Sequence, residues 1–168
     1  QRMTGEVSVR HGVTEVWSTV AAGDVLRPND TMRTGRNGSA TLLVGGSGGV
    51  RQLILPADVI VDISDVRDLT QEELMLKLAM QKVRATPSPL KPDAPQITDA
   101  AVVHGTDRGA VAGLAENDPL VGQSLLNGAK VLLENGFYAT GVLRTLEVFR
   151  LFPALGGRVD NRLLLAGA

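Results

Sequence analysis

Two imidazoles, His11 and His104, are the first residues to weigh for general-base or metal chemistry. Neither has a second ligand at metal-binding spacing, and the two fall in different expected domains, so both read as solvated loop histidines. Asp58, Asp62 and Asp65 could offer oxygens to calcium. The apolar Val59-Ile60-Val61 between the first two is strand sequence rather than a coordinating loop, so a charged solvent face is expected. The glycine cluster Gly45-Gly46-Ser47-Gly48-Gly49 lacks the Lys-Ser/Thr and helix start of a phosphate loop and leads through Val50-Arg51 into a strand; a hairpin loop is expected. Ser47 has glycine on both sides but neither the strand–turn–helix context of a nucleophile elbow nor a histidine partner. With no cysteine in the chain, thiolate metal sites, disulfides and cysteine nucleophiles are excluded. No residue is therefore assigned a catalytic, cofactor-binding or metal-ligating role, and the chain reads as a non-enzyme.

What remains is chemistry of contact. Aromatic residues make up only 3% of the sequence, which singles out Trp17 on an expected strand and Phe137-Tyr138 at the start of an expected helix. Trp17 is a core or half-buried residue or a stacking platform. Phe137 and Tyr138 are either a packing plug or a partner contact. Arg144 and Arg150, six apart on one helix, share no face and are expected to be solvated.

The elements that would position these residues divide the chain in three. Hydrophobic residues reach 43%, enough for a packed core built from Val, Leu, Ile and Ala. From about Gly5 to Ile63, turn chemistry at Gly23-Asp24, Pro28-Asn29-Asp30, Gly35–Gly38 and Pro56–Asp58 separates short runs, among them Ser39–Val44, Val50–Leu55 and Val59–Ile63. That spacing predicts an all-β unit of about seven short strands, sandwich or solenoid-like, with no useful helix before Leu69. Thr70-Gln71-Glu72-Glu73 is a capping box, with Leu69 and Leu74 as its hydrophobic staple. It predicts a helix to about Arg84 that packs on the β-domain, with Leu74 and Leu78, joined by Met75 and Val83, as its apolar stripe. Pro87, Pro89, Pro92 and Pro95 mark a linker over 86–97, between a domain at 1–85 and a helical region at 98–168. Residues 99–116, rich in Ala and Gly, read as loop or weak helix. Asp118-Pro119 starts one helix and Asn135-Gly136 stops it. A second runs from Phe137 to about Leu151 and ends before Pro153, and a third begins near Asp160. The fold class is α+β.

The β-region carries an ordered motif. Gly5-Glu6-Val7-Ser8-Val9 is followed by Leu26, Asp30, Met32, Thr34 and Gly35, then Gly38-Ser39-Ala40-Thr41-Leu42. This pattern resembles the FecR-like domain, with Asn29 where that family usually has glycine. The resemblance implies an exported or periplasmic bacterial β-domain used for protein contacts, with Leu26, Asp30, Thr34, Gly35, Gly38 and Ala40 as structural motif residues. The chain lacks the anti-sigma segment and membrane helix of the family's signalling members, so the fold and envelope location carry over and the iron-signalling role does not. The helical hairpin resembles a single tetratricopeptide unit through Ala129, Gly136 and Pro153.

Net charge is −1 with no basic stripe, which argues against nucleic-acid binding. No stretch approaches the ~20 apolar residues of a membrane span. An N-terminus at Gln1 rather than Met is expected of a trimmed or signal-cleaved form. The function expected is a non-catalytic interaction, scaffolding or regulatory module of the cell envelope, with the helical hairpin as adaptor for another envelope protein or a second copy. A carbohydrate- or peptidoglycan-binding module using Trp17 is the alternative.

Overall fold

A computed structural model of the chain describes residues 2–12, 14, 16–46, 49–85, 118–158 and 160–161. Among these, seven strands form first: β1 Met3–Thr4, β2 Val7–His11, β3 Trp17–Thr19, β4 Asp30–Thr34, β5 Ser39–Gly46, β6 Gly49–Leu55 and β7 Ile60–Asp62. A 3-10 turn, Ile63–Asp65, leads to helices α1 Gln71–Ala85, α2 Pro119–Glu134, α3 Tyr138–Leu151 and α4 Pro153–Gly156. The expected linker at 86–97, the 98–117 stretch with His104, Ser47-Gly48 and most of the expected last helix lie outside the described residues.

The strands make two antiparallel sheets, ordered β1-β5-β6 and β3-β2-β4-β7. Alternation along each strand sends one set of side chains inward. Val7, Val9, Met32 and Val61 from the four-stranded sheet meet Ala40, Leu42, Leu53 and Leu55 from the three-stranded one in a single buried cluster. Two facing sheets with a shared interior decide the architecture for a sandwich over a solenoid. The glycine cluster is a hairpin end: β5 and β6 stay in register up to Gly46 opposite Gly49, whose φ of +106° suits only glycine.

The helices complete this core. Val131 and Leu132 of α2 and Phe137 at the α2–α3 joint belong to the same cluster as the sheet interiors. A second cluster gathers Leu125 and Leu126 of α2, Val148 of α3, Phe152 and Leu155 around Ile60 of β7. α2 lies along the outer edge of β7. There Asn127 Nδ2 donates to the Asp58 carbonyl at 2.9 Å, and a Cβ on Gly128 would stand 1.9 Å from the Ile60 carbonyl oxygen. Only glycine allows that approach, and the helix thereby covers a strand edge that would otherwise offer unpaired carbonyls.

Local signals hold closely. The capping box forms both ways, Thr70 N–H to Glu73 at 3.0 Å and Glu73 N–H to Thr70 Oγ1 at 3.2 Å. Asp118 accepts from Leu120 N–H at 2.9 Å, and Gly136 takes a φ of +83° after α2. Two features differ from expectation. α1 packs chiefly on α3 rather than on the sheets, with Gln81 Nε2 donating to the Leu143 carbonyl at 2.9 Å. The chain also turns through the four-residue α4 straight after Phe152, because Pro153 can open a helix where it cannot continue one.

Candidate interaction surface

The motif residues of the β-region are fold-makers. Asp30, 2% exposed, accepts from Arg27 N–H at 2.7 Å, and His11 Nδ1 sits 2.9 Å from its other oxygen. Thr34 Oγ1 donates to the Pro56 carbonyl at 2.6 Å and accepts from Val59 N–H at 3.0 Å, tying β4 to the turn before β7. Gly35 N–H donates to Glu6 O at 2.9 Å, and a Cβ on Gly38 would fall 2.2 Å from that same oxygen. Ala40 lies in the core, and Leu26 packs against it.

The three aromatic candidates separate. Phe137, 3% exposed, is a plug in the shared core, with the Arg51 guanidinium 4.6 Å from its ring centroid. Tyr138, its neighbour, is 56% exposed. Trp17 is half-buried at the end of the four-stranded sheet. The guanidiniums of Arg33 and Arg10 stack on its ring at 4.6 and 5.4 Å, a cation–π arrangement that keeps the ring in place.

Two expectations are corrected by a buried ionic cluster. Arg144, expected to be solvated, has a side chain only 12% exposed and reaches from α3 to the end of β7. Its guanidinium donates to Asp62 at 2.6 Å, to Asp65 at 2.8 Å and to Glu147 at 2.7 Å. Asp62 and Asp65, expected on a charged solvent face, are 4% and 7% exposed. Asp62 also accepts from Thr31 Oγ1, which in turn accepts from Arg10 NH2 at 3.3 Å. The reason is tertiary: docking of α2 and α3 onto β7 removes these groups from water, and they persist only because they are paired.

One guanidinium shared by three carboxylates sets the electrostatics. Burial alone would lower the Arg144 pKa, but the charges of Asp65, Asp62 and Glu147 outweigh it and hold it above the ordinary arginine value. Burial raises the Asp65 pKa; Arg144 pulls it back, while neighbouring Asp62 adds to the rise. Burial raises Glu147 likewise, against the pull of Arg144. The attraction concentrates on the arginine, whereas each acid also feels the other two. The arrangement is a clamp between helix and sheet.

Among the described residues an exposed apolar surface lies elsewhere, on the three-stranded sheet. β5 and β6 carry hydrophobic residues on both faces. Leu42, Leu53 and Leu55 point inward, while Leu43, Val50 and Ile54 are 51%, 71% and 62% exposed. In the β5–β6 register Leu43 stands opposite Gln52, so Val50 and Ile54 are its diagonal neighbours on the outer face. β6 is the outer strand of this sheet. These residues went unassigned in the sequence, although apolar residues at both parities, Leu42-Leu43 and Leu53-Ile54-Leu55, are the signal of a strand buried on both sides. On the hairpin the exposed large apolar side chains are Leu120, Tyr138 and Leu146, and its other anchors face the core.

Compared with protein-family models, with curated proteins and with solved structures, the chain finds no match.

Proposed function

We propose that the chain is a non-catalytic interaction module of the bacterial cell envelope, scaffolding or regulatory, that engages another envelope protein through the outer face of β5 and β6. The observation that carries this reading is the cluster of Leu43, Val50 and Ile54, all more than half exposed on one rigid sheet face. Clustered exposed apolar side chains mark contact sites far more often than scattered ones do. Burial of each is worth about 1.5–3 kcal/mol, enough for the three to anchor a partner. The hairpin, first expected as the adaptor, serves here as the buttress that stiffens the sandwich. Envelope location is supported by the FecR-like motif.

The test is saturable capture from a bacterial envelope extract, with the intact chain as bait. The reading expects a partner retained by the wild-type chain, lost with Leu43→Asp or Ile54→Asp, and kept with Tyr138→Ala. Because all three positions are exposed, thermal midpoints should stay within a few degrees. Capture that survives both sheet-face variants would overturn the reading. The alternative, a carbohydrate- or peptidoglycan-binding module, would use Trp17. It is less supported, since arginines already stack on that ring. Unchanged tryptophan fluorescence on adding peptidoglycan fragments would remove it.

A further inference from the structure

The sheet edges are finished unequally. β7 is covered by α2, whose Gly128 backs onto the Ile60 carbonyl, and β5 meets β1 at Ser39 and Ala40. β6, Gly49–Leu55, is an outer strand with no strand beyond it among the described residues. The register fixes which of its backbone groups are in use. Thr41 N–H donates to the Arg2 carbonyl at 2.9 Å, on the β1 side. By the alternation of an antiparallel ladder, Ala40, Leu42, Val44 and Gly46 then turn their N–H and C=O toward β6, where their partners are Leu55, Leu53, Arg51 and Gly49. Val50, Gln52 and Ile54 therefore point their backbone N–H and C=O away from β5, in the plane of the sheet. Among the described residues no hydrogen bond reaches these groups.

Gly49, Val50, Arg51, Gln52 and Ile54 are exposed, so the row is open to solvent. β6 carries none of the guards that blunt a free edge: it holds no proline and no lysine, and its one charge, Arg51, is held by Asp68 and the Phe137 ring. Donors and acceptors repeating at every second residue are complementary to one kind of ligand, another extended backbone. The outer-face side chains narrow the choice further. A residue paired opposite Val50 or Ile54 sets its own side chain beside an exposed apolar one, and a residue opposite Gln52 sets it beside an amide. We infer that β6 is a strand-addition edge, along which the partner lays an extended segment with two apolar side chains spaced as Val50 and Ile54 are, and a polar one midway. The inference deepens the reading of the β5–β6 face as the contact site and rests on it, because the added strand extends the surface of Leu43, Val50 and Ile54 by one more row.

Amide hydrogen exchange followed by NMR on the intact chain reads this edge residue by residue. In the free chain the amides of Arg51 and Leu53 should exchange slowly and those of Val50, Gln52 and Ile54 quickly. The probe is a displayed library of random peptides, panned on the intact chain. Enriched peptides should carry the spaced apolar pair, and on binding they should slow exchange at Val50, Gln52 and Ile54 by at least about tenfold. N-methylation of a peptide amide that faces β6 should weaken binding by about tenfold or more, whereas methylation at the intervening amides should weaken it far less. Gln52→Pro should abolish peptide binding and Gln52→Ala should keep it. The proline is compatible with the fold because the lost N–H faces away from β5, and an unchanged circular dichroism spectrum checks this. A library that yields no peptide, binding indifferent to which amides are methylated, or bound peptides that leave the three amides fast would each overturn the inference. An envelope partner lost with Leu43→Asp but retained by Gln52→Pro would overturn strand addition alone and leave the contact face standing. Capture that survives both Leu43→Asp and Ile54→Asp would remove the contact face and this inference with it.

Discussion

Arg144 is where this chain departs most from what a helical wheel suggests. On α3 alone it is one more solvent-facing cation, yet its carboxylate partners Asp62 and Asp65 lie 82 and 79 residues upstream. No local pattern announces such a pairing. Removing the guanidinium leaves desolvated carboxylates without a counter-ion. Arg144→Met should therefore cost about 3–5 kcal/mol in urea unfolding; a loss within 1 kcal/mol would show the cluster to be wet and weak. The acids make a separate prediction about pH. Asp65 and Glu147 have native pKa values raised chiefly by burial, whereas unfolded carboxylates titrate near pH 4. Between those limits the folded state holds more protons than the unfolded one, so stability falls as pH rises through the window. The stability of the wild-type chain relative to Asp65→Asn should accordingly be greater near pH 4 than at pH 7. A difference that is flat or rises with pH would contradict the burial argument.

Elements were legible where their signals are local. Thr70 and Glu73 lie three residues apart and form the reciprocal cap that the sequence spells out; Thr70→Ala should cost about 1 kcal/mol. The strands followed from turn chemistry, and Asp30, Thr34, Gly38 and Ala40 hold turns and core in place. What was not legible is how elements meet. Gly128 reads as an unwelcome glycine inside a good helix, and its purpose appears only when the Ile60 carbonyl is found where a Cβ would sit. Gly128→Ala should lift α2 from β7 and destabilise the chain by about 2–3 kcal/mol, measured by chemical denaturation. Gly45 of β5, with open space at its Cβ position, is the matched control; Gly45→Ala should change stability by no more than about 0.5 kcal/mol. Equal effects at the two sites would argue that propensity, not close approach, decides both. Exposure of Leu43, Val50 and Ile54 was equally hidden, since a sequence shows that a strand is apolar on two faces but not which face lacks a cover.

At the scale of the molecule, the described residues form a β-sandwich whose open side is closed by helices. Phe137, Val131 and Leu132 sit in the same cluster as Val7, Met32 and Leu55. Arg144 clamps the far helix to the end of β7, and Arg51 lies over Phe137 while pairing with Asp68 at 2.7 Å on the approach to α1. No helix of the described residues is long and apolar enough to cross a membrane. Because the hairpin packs into this core, the face proposed for recognition is the outer surface of β5–β6, where Leu43, Val50 and Ile54 are exposed. Everything functional in this account follows from that shared core. Trp17, the sole tryptophan, reports on the sheets from β3, while circular dichroism near the helical minimum reports mainly on α1–α3. The most direct test is urea unfolding of the intact chain followed by both signals at once. The shared core predicts coincident transitions with one midpoint and one slope. A helical signal lost at lower urea, with Trp17 emission still native, would contradict it and return the hairpin to the role of a free adaptor.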